Sequence, residues 1–154
     1  MEILIVCTGN TCRSSMAEAL LKHELRKHEI QNIEVSSAGV ATEDGYPAHP
    51  HAIGTCLYHG LKLNQHHSRQ ATPEIVESAD IILGMTRSHT ELLKHAFPEK
   101  AADIHLIKQF GREDNPEDIE VADPIGIDST RFEECFLELE KEIVRIVRVL
   151  SAKI

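Results

Sequence analysis

The sequence contains no tryptophan and few aromatic residues of any kind. Four Phe and two Tyr in 154 residues leave few rings on which the bases of single-stranded nucleic acid could stack. Positive charge is also scarce, because 16 Lys and Arg residues face 25 Asp and Glu residues and the formal net charge is −9 at pH 7. Nucleic-acid binding requires a basic patch, so we expect no nucleic-acid partner.

Long apolar segments are absent as well. The apolar run at residues 3–7 is shorter than the roughly 7–15 residues of a secretory signal or the ~20 residues of a membrane span. We therefore expect a cytoplasmic protein that has no membrane partner. Cysteine is limited to four residues. In an intracellular chain, so few cysteines favour catalytic, redox or core roles over a disulfide framework.

The pattern that is present is typical of one α/β domain. A chain of 154 residues has the usual size of a single domain, so we expect residues 1–154 to form one. Short β-branched runs predict strands, and apolar residues at helical spacing predict helices between and after them. The predicted strands are 3–6, 33–36, 80–85 and 104–107, and the predicted helices are 15–25, 48–59, 73–76, 88–97 and 132–150. Strands that alternate with helices predict a four-stranded parallel sheet with helices on both faces.

The most informative segment is residues 7–14, here called the cysteine loop, between the first predicted strand and the first predicted helix. Five residues separate Cys7 from Arg13. Backbone N–H groups in such a loop can turn inward to bind an anion, and the helix behind it adds its positive end. Arg13 can hold two phosphate oxygens at once. In this field we expect Cys7 to lose its proton readily and to attack a bound phosphoryl group.

The same spacing also fits a purely structural interpretation, with Cys7 buried at a strand end and Arg13 on the surface. The predicted strand before the loop and helix after it favour the functional interpretation, because the chemistry needs that context. Ser15 and Glu18 have the spacing of a capping box, which predicts that they cap the first helix.

A second candidate lies in residues 111–128, here called the acidic segment, which holds seven acidic residues and one Arg. A loop of this length in a compact domain is typical of a functional lid or a flexible segment. Asp123 precedes Pro124, which restricts the Asp123 backbone to extended conformations. We therefore single out Asp123 as a proton donor for a leaving group, while a merely solvated acid remains the plain alternative.

Together these motifs resemble the low-molecular-weight protein tyrosine phosphatase family. The matching residues run in the family's order along nearly the whole chain. They are Val6-Cys7-Thr8-Gly9-Asn10-Thr11-Cys12-Arg13-Ser14, Met16-Ala17-Glu18, Ser36-Ser37-Ala38-Gly39, Ser68-Arg69-Gln70, residues 80–85 and Ala122-Asp123-Pro124. The resemblance implies a phosphatase that forms a phosphocysteine intermediate without a metal or another cofactor.

The resemblance also implies a role for each residue of the site. Cys7 is the expected nucleophile, Arg13 the phosphate ligand and transition-state stabiliser, and Asp123 the acid that then serves as base. Ser14 is expected to donate a hydrogen bond to the thiolate, while Asn10 holds the loop and Ser37 supports Asn10. The phosphate-binding set that the resemblance implies is Thr8, Gly9, Asn10, Thr11, Cys12 and Ser14. The resemblance also implies that Cys12 can form a reversible disulfide with an oxidised Cys7, which would protect Cys7 from irreversible oxidation.

Two positions bear on which phosphorylated side chain is the substrate. Tyrosine-specific members of the family usually carry an aliphatic residue at the position of Thr11 and an aromatic pair after Asp-Pro, whereas this chain has Ile125 and Gly126 there. Thr11 resembles the bacterial protein-arginine phosphatases, which have an equivalent threonine. Arginine-phosphorylated proteins are therefore the expected substrates, and tyrosine-phosphorylated proteins are the alternative. We expect the protein to be a monomer.

Three further functions remain as alternatives. Thioredoxin-coupled arsenate reductases share a similar first loop, but they need two more cysteines on a mobile segment. Here the other two, Cys56 and Cys135, fall on predicted helices. A phosphate-binding module without catalysis is another alternative, although it would not need Cys7. A transition-metal site could draw on five further residues, although their spacings match no tight ligand motif. These are His49, His51, Cys56, His66 and His67.

Overall fold

Four parallel strands form the centre of the protein, and a computed structural model describes residues 1–153 around them. The strands are β1 (Glu2–Cys7), β2 (Glu34–Gly39), β3 (Ile81–Gly84) and β4 (Ile104–Leu106). Their order in the sheet is β2-β1-β3-β4, and each neighbouring pair is parallel. The predicted strands are confirmed with ends that shift by up to three residues, and so is the α/β fold class.

Within residues 1–153, five α-helices cover both faces of this sheet. They are α1 (Arg13–Lys27), α2 (Pro50–Tyr58), α3 (Pro73–Ser78), α4 (Arg87–Ala96) and α5 (Ser129–Ala152), with a 3-10 helix at Pro98–Asp103. Helices α1, α2 and α5 pack on the face that presents Ile3 and Ile5. Helices α3 and α4 pack on the opposite face, against Leu4 and Val6. Because β1 is buried on both faces, its sequence is a continuous apolar run rather than an alternating one. No helix in residues 1–153 has the length and apolar character needed to cross a membrane.

The start of α1 differs from the sequence prediction. The predicted capping box of Ser15 and Glu18 is wrong, because α1 already begins at Arg13 and its N-cap residue Cys12 makes no side-chain cap hydrogen bond. Ser15 instead donates its hydroxyl hydrogen to the Cys12 carbonyl, and Glu18 accepts a hydrogen bond from Ser37. The first turn of α1 therefore carries no side-chain cap on its N–H groups.

The carboxyl ends of β1 and β2 bring the cysteine loop against the chain that follows β2. Cys7 lies opposite Gly39, and the amides of Val40 and Ala41 donate to the carbonyls of Cys7 and Thr8 at 2.9 and 3.0 Å. A Cβ atom at Gly39 would lie 2.6 Å from the Thr8 carbonyl oxygen, so this close approach requires glycine. The loop thus sits at the edge of the sheet where parallel α/β folds bind ligands.

Candidate active site

The sulfur of Cys7 is buried at the floor of the cysteine loop and receives polar contacts. Cys7 is 3% exposed. Its Sγ lies 2.9 Å from Ser14 Oγ, and the backbone N–H of Asn10 donates to it at 3.3 Å. Donors directed at a sulfur stabilise negative charge on it. The arrangement therefore fits a cysteine that reacts as a thiolate.

The side chain of Asn10 holds the loop around that sulfur. Its Nδ2 group donates to Ser14 Oγ and to Ser37 Oγ, both at 2.9 Å, and its Oδ1 accepts from the Arg69 backbone N–H at 3.0 Å. Because the Arg69 N–H can only donate, the Asn10 side-chain atom that faces it must be the amide oxygen rather than the amide nitrogen. Because Ser14 Oγ accepts from Asn10, its own hydrogen is free to point at the Cys7 sulfur. Asn10 also has a φ of 58°, a left-handed conformation that Asn tolerates better than most residues.

A further group of contacts supports this network from outside the loop. Ser37 donates to Glu18, which also pairs with Lys22. His66 Nε2 donates to the Asn10 carbonyl at 2.6 Å. Neither Glu18 nor His66 was assigned to the active site from the sequence. His66 follows no short motif, and although Glu18 belongs to a segment that matches the family, only the folded chain reveals its contact with Ser37.

Thr8 is tied to a histidine on α4 that the sequence analysis did not identify. Thr8 Oγ1 lies 2.9 Å from Nε2 of His89, a residue that is 4% exposed. The Nδ1 atom of the same ring lies 3.2 Å from the Thr86 backbone N–H, which donates to it. Burial, aided by the positive charge of Arg13, lowers the pKa of His89 to about 4. His89 is therefore neutral at physiological pH.

Arg13 and Asp123 are brought together across the mouth of the loop. Arg13 is 5% exposed, and its Nη1 donates to the Val121 carbonyl at 2.9 Å. Its Nη2 lies 3.8 Å from Asp123 Oδ2. The Asp123 side chain is 47% exposed, and its Oδ1 accepts the Ile125 N–H at 3.0 Å. One carboxylate oxygen is thus held by the backbone, and the other faces the arginine and solvent.

Three more residues of the predicted phosphate-binding set, Gly9, Thr11 and Cys12, lie in the cysteine loop in different surroundings. Thr11 is half-buried, and its carbonyl accepts from the His49 N–H at 3.0 Å. Gly9 is also half-buried. Cys12 is buried, and burial raises the pKa of its thiol to about 12, so it stays protonated. Cys7 and Cys12 are both free thiols in this structure.

The residues of the metal alternative do not form a site in the structure. Among residues 1–153, no three His, Cys, Asp or Glu side chains are arranged to hold a metal ion. His66 is engaged with the Asn10 carbonyl, and His49 Nδ1 accepts from the His51 N–H. Cys56 and Cys135 are buried in α2 and α5, as predicted, and burial raises the pKa of each thiol to about 12.

Known proteins resemble the chain along its full length. The family model for low molecular weight phosphotyrosine protein phosphatases matches residues 2–154. A protein-arginine-phosphatase of Bacillus subtilis is 35% identical over 98% of this chain and 97% of its own length. The low molecular weight protein-tyrosine-phosphatase Wzb of Escherichia coli K12 is 34% identical over 99% of this chain and 97% of its own length.

A solved structure shows the same fold. The YwlE arginine phosphatase, solved as a C7S mutant with a phosphorylated active site serine, superimposes with a TM-score of 0.91. The two chains are 33% identical, and the match covers 98% of this chain and 96% of the other. The family that the sequence resembles is thus confirmed. The chain belongs to the low molecular weight phosphotyrosine protein phosphatase family and is a phosphatase, a hydrolase whose substrates are phosphorylated proteins.

Proposed function

We propose that the protein hydrolyses phosphoarginine in proteins through a phosphocysteine intermediate. The observation that carries the proposal is the meeting of three groups at one loop. The Cys7 sulfur receives hydrogen bonds, Arg13 of the same loop is buried and donates to the Val121 carbonyl, and Asp123 Oδ2 lies 3.8 Å from the Arg13 guanidinium. A nucleophile, an anion-binding group and a proton carrier at one opening meet the needs of phosphoryl transfer.

Phosphate binding is assigned to Arg13 and to the cysteine loop. One side of the guanidinium donates to the Val121 carbonyl, which fixes its plane and leaves other N–H groups for phosphate oxygens. The phosphate-binding set is Thr8, Gly9, Asn10, Thr11, Cys12 and Ser14. The loop amides and the uncapped start of α1 supply further donors. These groups stabilise the charge that develops on the phosphoryl oxygens in the transition state.

In the first step, the Cys7 thiolate attacks phosphorus. A sulfur–phosphorus bond forms, the phosphorus–nitrogen bond of phosphoarginine breaks, and Asp123 gives a proton to the departing guanidine nitrogen. Ser14 stabilises the sulfur through the hydrogen that the Asn10 contact leaves free. The phosphorylated serine in the C7S mutant of YwlE supports a covalent intermediate at the corresponding step.

In the second step, water attacks the phosphocysteine. Asp123, now a carboxylate, accepts a proton from the water, and the sulfur–phosphorus bond breaks to release inorganic phosphate and the Cys7 thiolate. The exposed position of Asp123 suits both exchanges, because the leaving group and the water reach it from solvent. No step requires a metal, since Arg13 and the loop donors supply the electrostatic stabilisation.

Thr11 and the acidic segment support arginine as the phosphorylated side chain. A half-buried threonine offers a hydroxyl to a polar guanidinium, where an isoleucine would offer only an apolar wall. The acidic segment contains no aromatic residue, so it holds no ring to stack on a phenol. The second oxygen of Asp123 can also accept a hydrogen bond from a guanidinium while the first carries the proton. These features fit a planar cation better than they fit a phenol ring.

Phosphotyrosine remains the second candidate substrate. Ile125 is 49% exposed two residues after Asp123 and gives the opening an apolar wall that a phenol ring could contact. The arginine phosphatase and tyrosine phosphatase relatives have almost equal identities of 35% and 34%. Sequence identity therefore favours neither substrate.

The test compares kcat/KM on phosphoarginine and phosphotyrosine peptides of the same flanking sequence. The wild type should prefer phosphoarginine, and Thr11→Ile should lose that preference or shift toward phosphotyrosine, because it exchanges a hydroxyl for an apolar wall. Thr130→Ile makes the same exchange at an exposed position on α5 and should leave the ratio unchanged. A clear phosphotyrosine preference in the wild type would overturn the arginine assignment but keep the phosphatase mechanism.

A further inference from the structure

The direction of the hydrogen bond between Thr8 and His89 follows from the other contacts of the histidine ring. His89 Nδ1 faces the Thr86 N–H, which can only donate, and lies 3.1 Å from the Thr86 hydroxyl, which can also donate, so the ring hydrogen is assigned to Nε2. Nε2 therefore donates to Thr8 Oγ1 across 2.9 Å. With one lone pair occupied in this way, Thr8 retains its own hydroxyl hydrogen for another acceptor.

That hydrogen has no acceptor among residues 1–153. The contact with His89 is the only hydrogen bond that Thr8 Oγ1 makes within the part of the chain that the structure describes. Thr8 directly follows Cys7 and is exposed, whereas its partner His89 is buried. The pair lies close enough to Arg13 and Asp123 for both charges to act on the His89 ring. The free hydrogen thus belongs to an exposed side chain of the loop that would surround a bound phosphoryl group.

We propose that Thr8 is a substrate-binding residue whose hydroxyl donates to a phosphoryl oxygen, and that His89 is its positioning residue. The proposal rests on the proposed function, because it takes the anion of the cysteine loop to be the phosphoryl group of the substrate. An oxygen that already accepts from a neutral ring is oriented before the substrate arrives. Less entropy is then lost when the hydrogen bond to phosphate forms.

A purely structural role is the alternative. In that case the Thr8–His89 contact only ties the cysteine loop to the start of α4. There the His89 ring accepts the Thr86 N–H and the His89 backbone N–H donates to Thr86 Oγ1, which together form a capping box. Loss of the Thr8 hydroxyl would then change stability but not the affinity for phosphate. The two roles therefore separate when binding is measured directly.

The first test is the affinity for inorganic phosphate, measured by calorimetry, together with kcat and KM on the phosphoarginine peptide. Thr8→Val keeps the shape of the side chain but has no hydroxyl. It should weaken phosphate binding and lower kcat/KM by roughly tenfold, the usual cost of a hydrogen bond to a charged group. Thr8→Ser restores the hydroxyl and should recover most of that loss. Thr130→Val is the matched control away from the site.

The second test uses two replacements of His89, each of which can keep only one of the contacts that the ring makes with Thr8 and Thr86. Asn places an amide near Nδ1, so His89→Asn can keep the Thr86 contact but does not reach Thr8. Gln places an amide near Nε2, so His89→Gln can keep the donor to Thr8. We expect His89→Asn to resemble Thr8→Val in phosphate affinity and His89→Gln to restore most of the wild-type value. In the double variant Thr8→Val/His89→Asn the two losses should not add, because both remove the same interaction.

The outcomes distinguish this proposal from the function on which it rests. If the wild type neither binds phosphate nor hydrolyses either peptide, the proposed function itself fails and this proposal fails with it. If the wild type is active and Thr8→Val binds phosphate as tightly as Thr8→Ser does, the proposed function stands and the role of Thr8 is overturned. Should His89→Asn not fold, the comparison of Thr8→Val with Thr8→Ser still decides the question.

Discussion

The cysteine loop and the acidic segment face each other across Arg13, but they are built in opposite ways. Asn10 and Ser14 have no exposed surface, and hydrogen bonds from several elements converge on them. The acidic segment has no helix or strand, and most of its side chains are exposed. A few hydrogen bonds hold the acidic segment in place, such as the one that the Val121 N–H donates to the Met85 carbonyl at 2.9 Å.

The difference separates the binding of the phosphoryl group from contacts with the rest of the substrate, to which the cysteine loop contributes Thr11. A loop fixed by a buried network can hold a phosphoryl group in one geometry, which every substrate of such an enzyme needs. An exposed segment can change its side chains at little cost to the fold, so it suits the recognition of the rest of the substrate. Arg13 belongs to both regions, because it projects from the loop and donates to the Val121 carbonyl of the segment.

The largest expected effect is that of Cys7→Ser. A serine hydroxyl is a much weaker nucleophile than a thiolate, so kcat should fall by roughly 10⁴-fold or more. Because Arg13 and the loop donors remain, the affinity for inorganic phosphate should stay within about tenfold of the wild type. Steady-state kinetics and calorimetry provide the two values. Activity that survives the substitution would exclude Cys7 as the nucleophile.

Asp123→Asn should affect turnover without affecting the cysteine loop. The amide cannot transfer the proton, and loss of a general acid–base group typically costs about 10²–10⁴-fold in rate. Phosphate affinity should change little, since Asp123 is exposed and lies 3.8 Å from Arg13. Glu117→Gln removes an exposed acid of the same segment and serves as the control. Equal losses of kcat in the two variants would mean that turnover depends on the total charge of the acidic segment and not on proton transfer by Asp123.

Asn10→Ala tests whether the buried network sets the geometry of the loop. The change removes the side-chain contacts to Ser14, Ser37 and the Arg69 amide and places Ala at a φ of 58°. We expect about 2–4 kcal/mol of lost stability, and kcat/KM lower by roughly 10–100-fold. Asn10→Gly relieves only the backbone strain. If Asn10→Gly recovered full activity, the side-chain network would not be what shapes the loop.

The smallest expected effect is on recovery from oxidation. Peroxide converts the Cys7 thiolate to a sulfenic acid, and attack by the Cys12 sulfur then forms a disulfide and releases water. The wild type should regain its activity with added thiol, whereas Cys12→Ser should regain less because further oxidation of Cys7 is irreversible. Because Cys12 is buried as a neutral thiol, the disulfide should form slowly. Full recovery of Cys12→Ser would rule out a protective role.

The strands and helices were predictable because their patterns are local. A continuous apolar run defines β1, and the helical spacing that includes Phe132 and Phe136 defines α5. The order of the strands is not local, and no sequence pattern places β1 between β2 and β3. The wrong capping box at Ser15 and Glu18 has a physical reason. Ser37, far along the chain, takes Glu18 as its acceptor.

The same limit applies to the site. Cys7, Asn10, Arg13 and Ser14 fall within eight residues, so their spacing and the family resemblance were enough to single them out. His89 is 81 positions from Thr8, and no motif joins them. The contact of Arg13 with the Val121 carbonyl uses a backbone atom, which every residue type provides. The sequence therefore singled out the candidate reacting groups and the support from Asn10 and Ser37, but it missed His89 and the backbone contact of Arg13.

The most direct test of the account is to observe the phosphoryl group on Cys7 during turnover. Wild-type protein is mixed rapidly with an excess of the better peptide substrate, quenched within one turnover and mapped by mass spectrometry. The account predicts a phosphorylated Cys7 that disappears once substrate is exhausted, and that disappears more slowly in Asp123→Asn. An unmodified Cys7 throughout turnover, or a phosphoryl group on another residue, would contradict it.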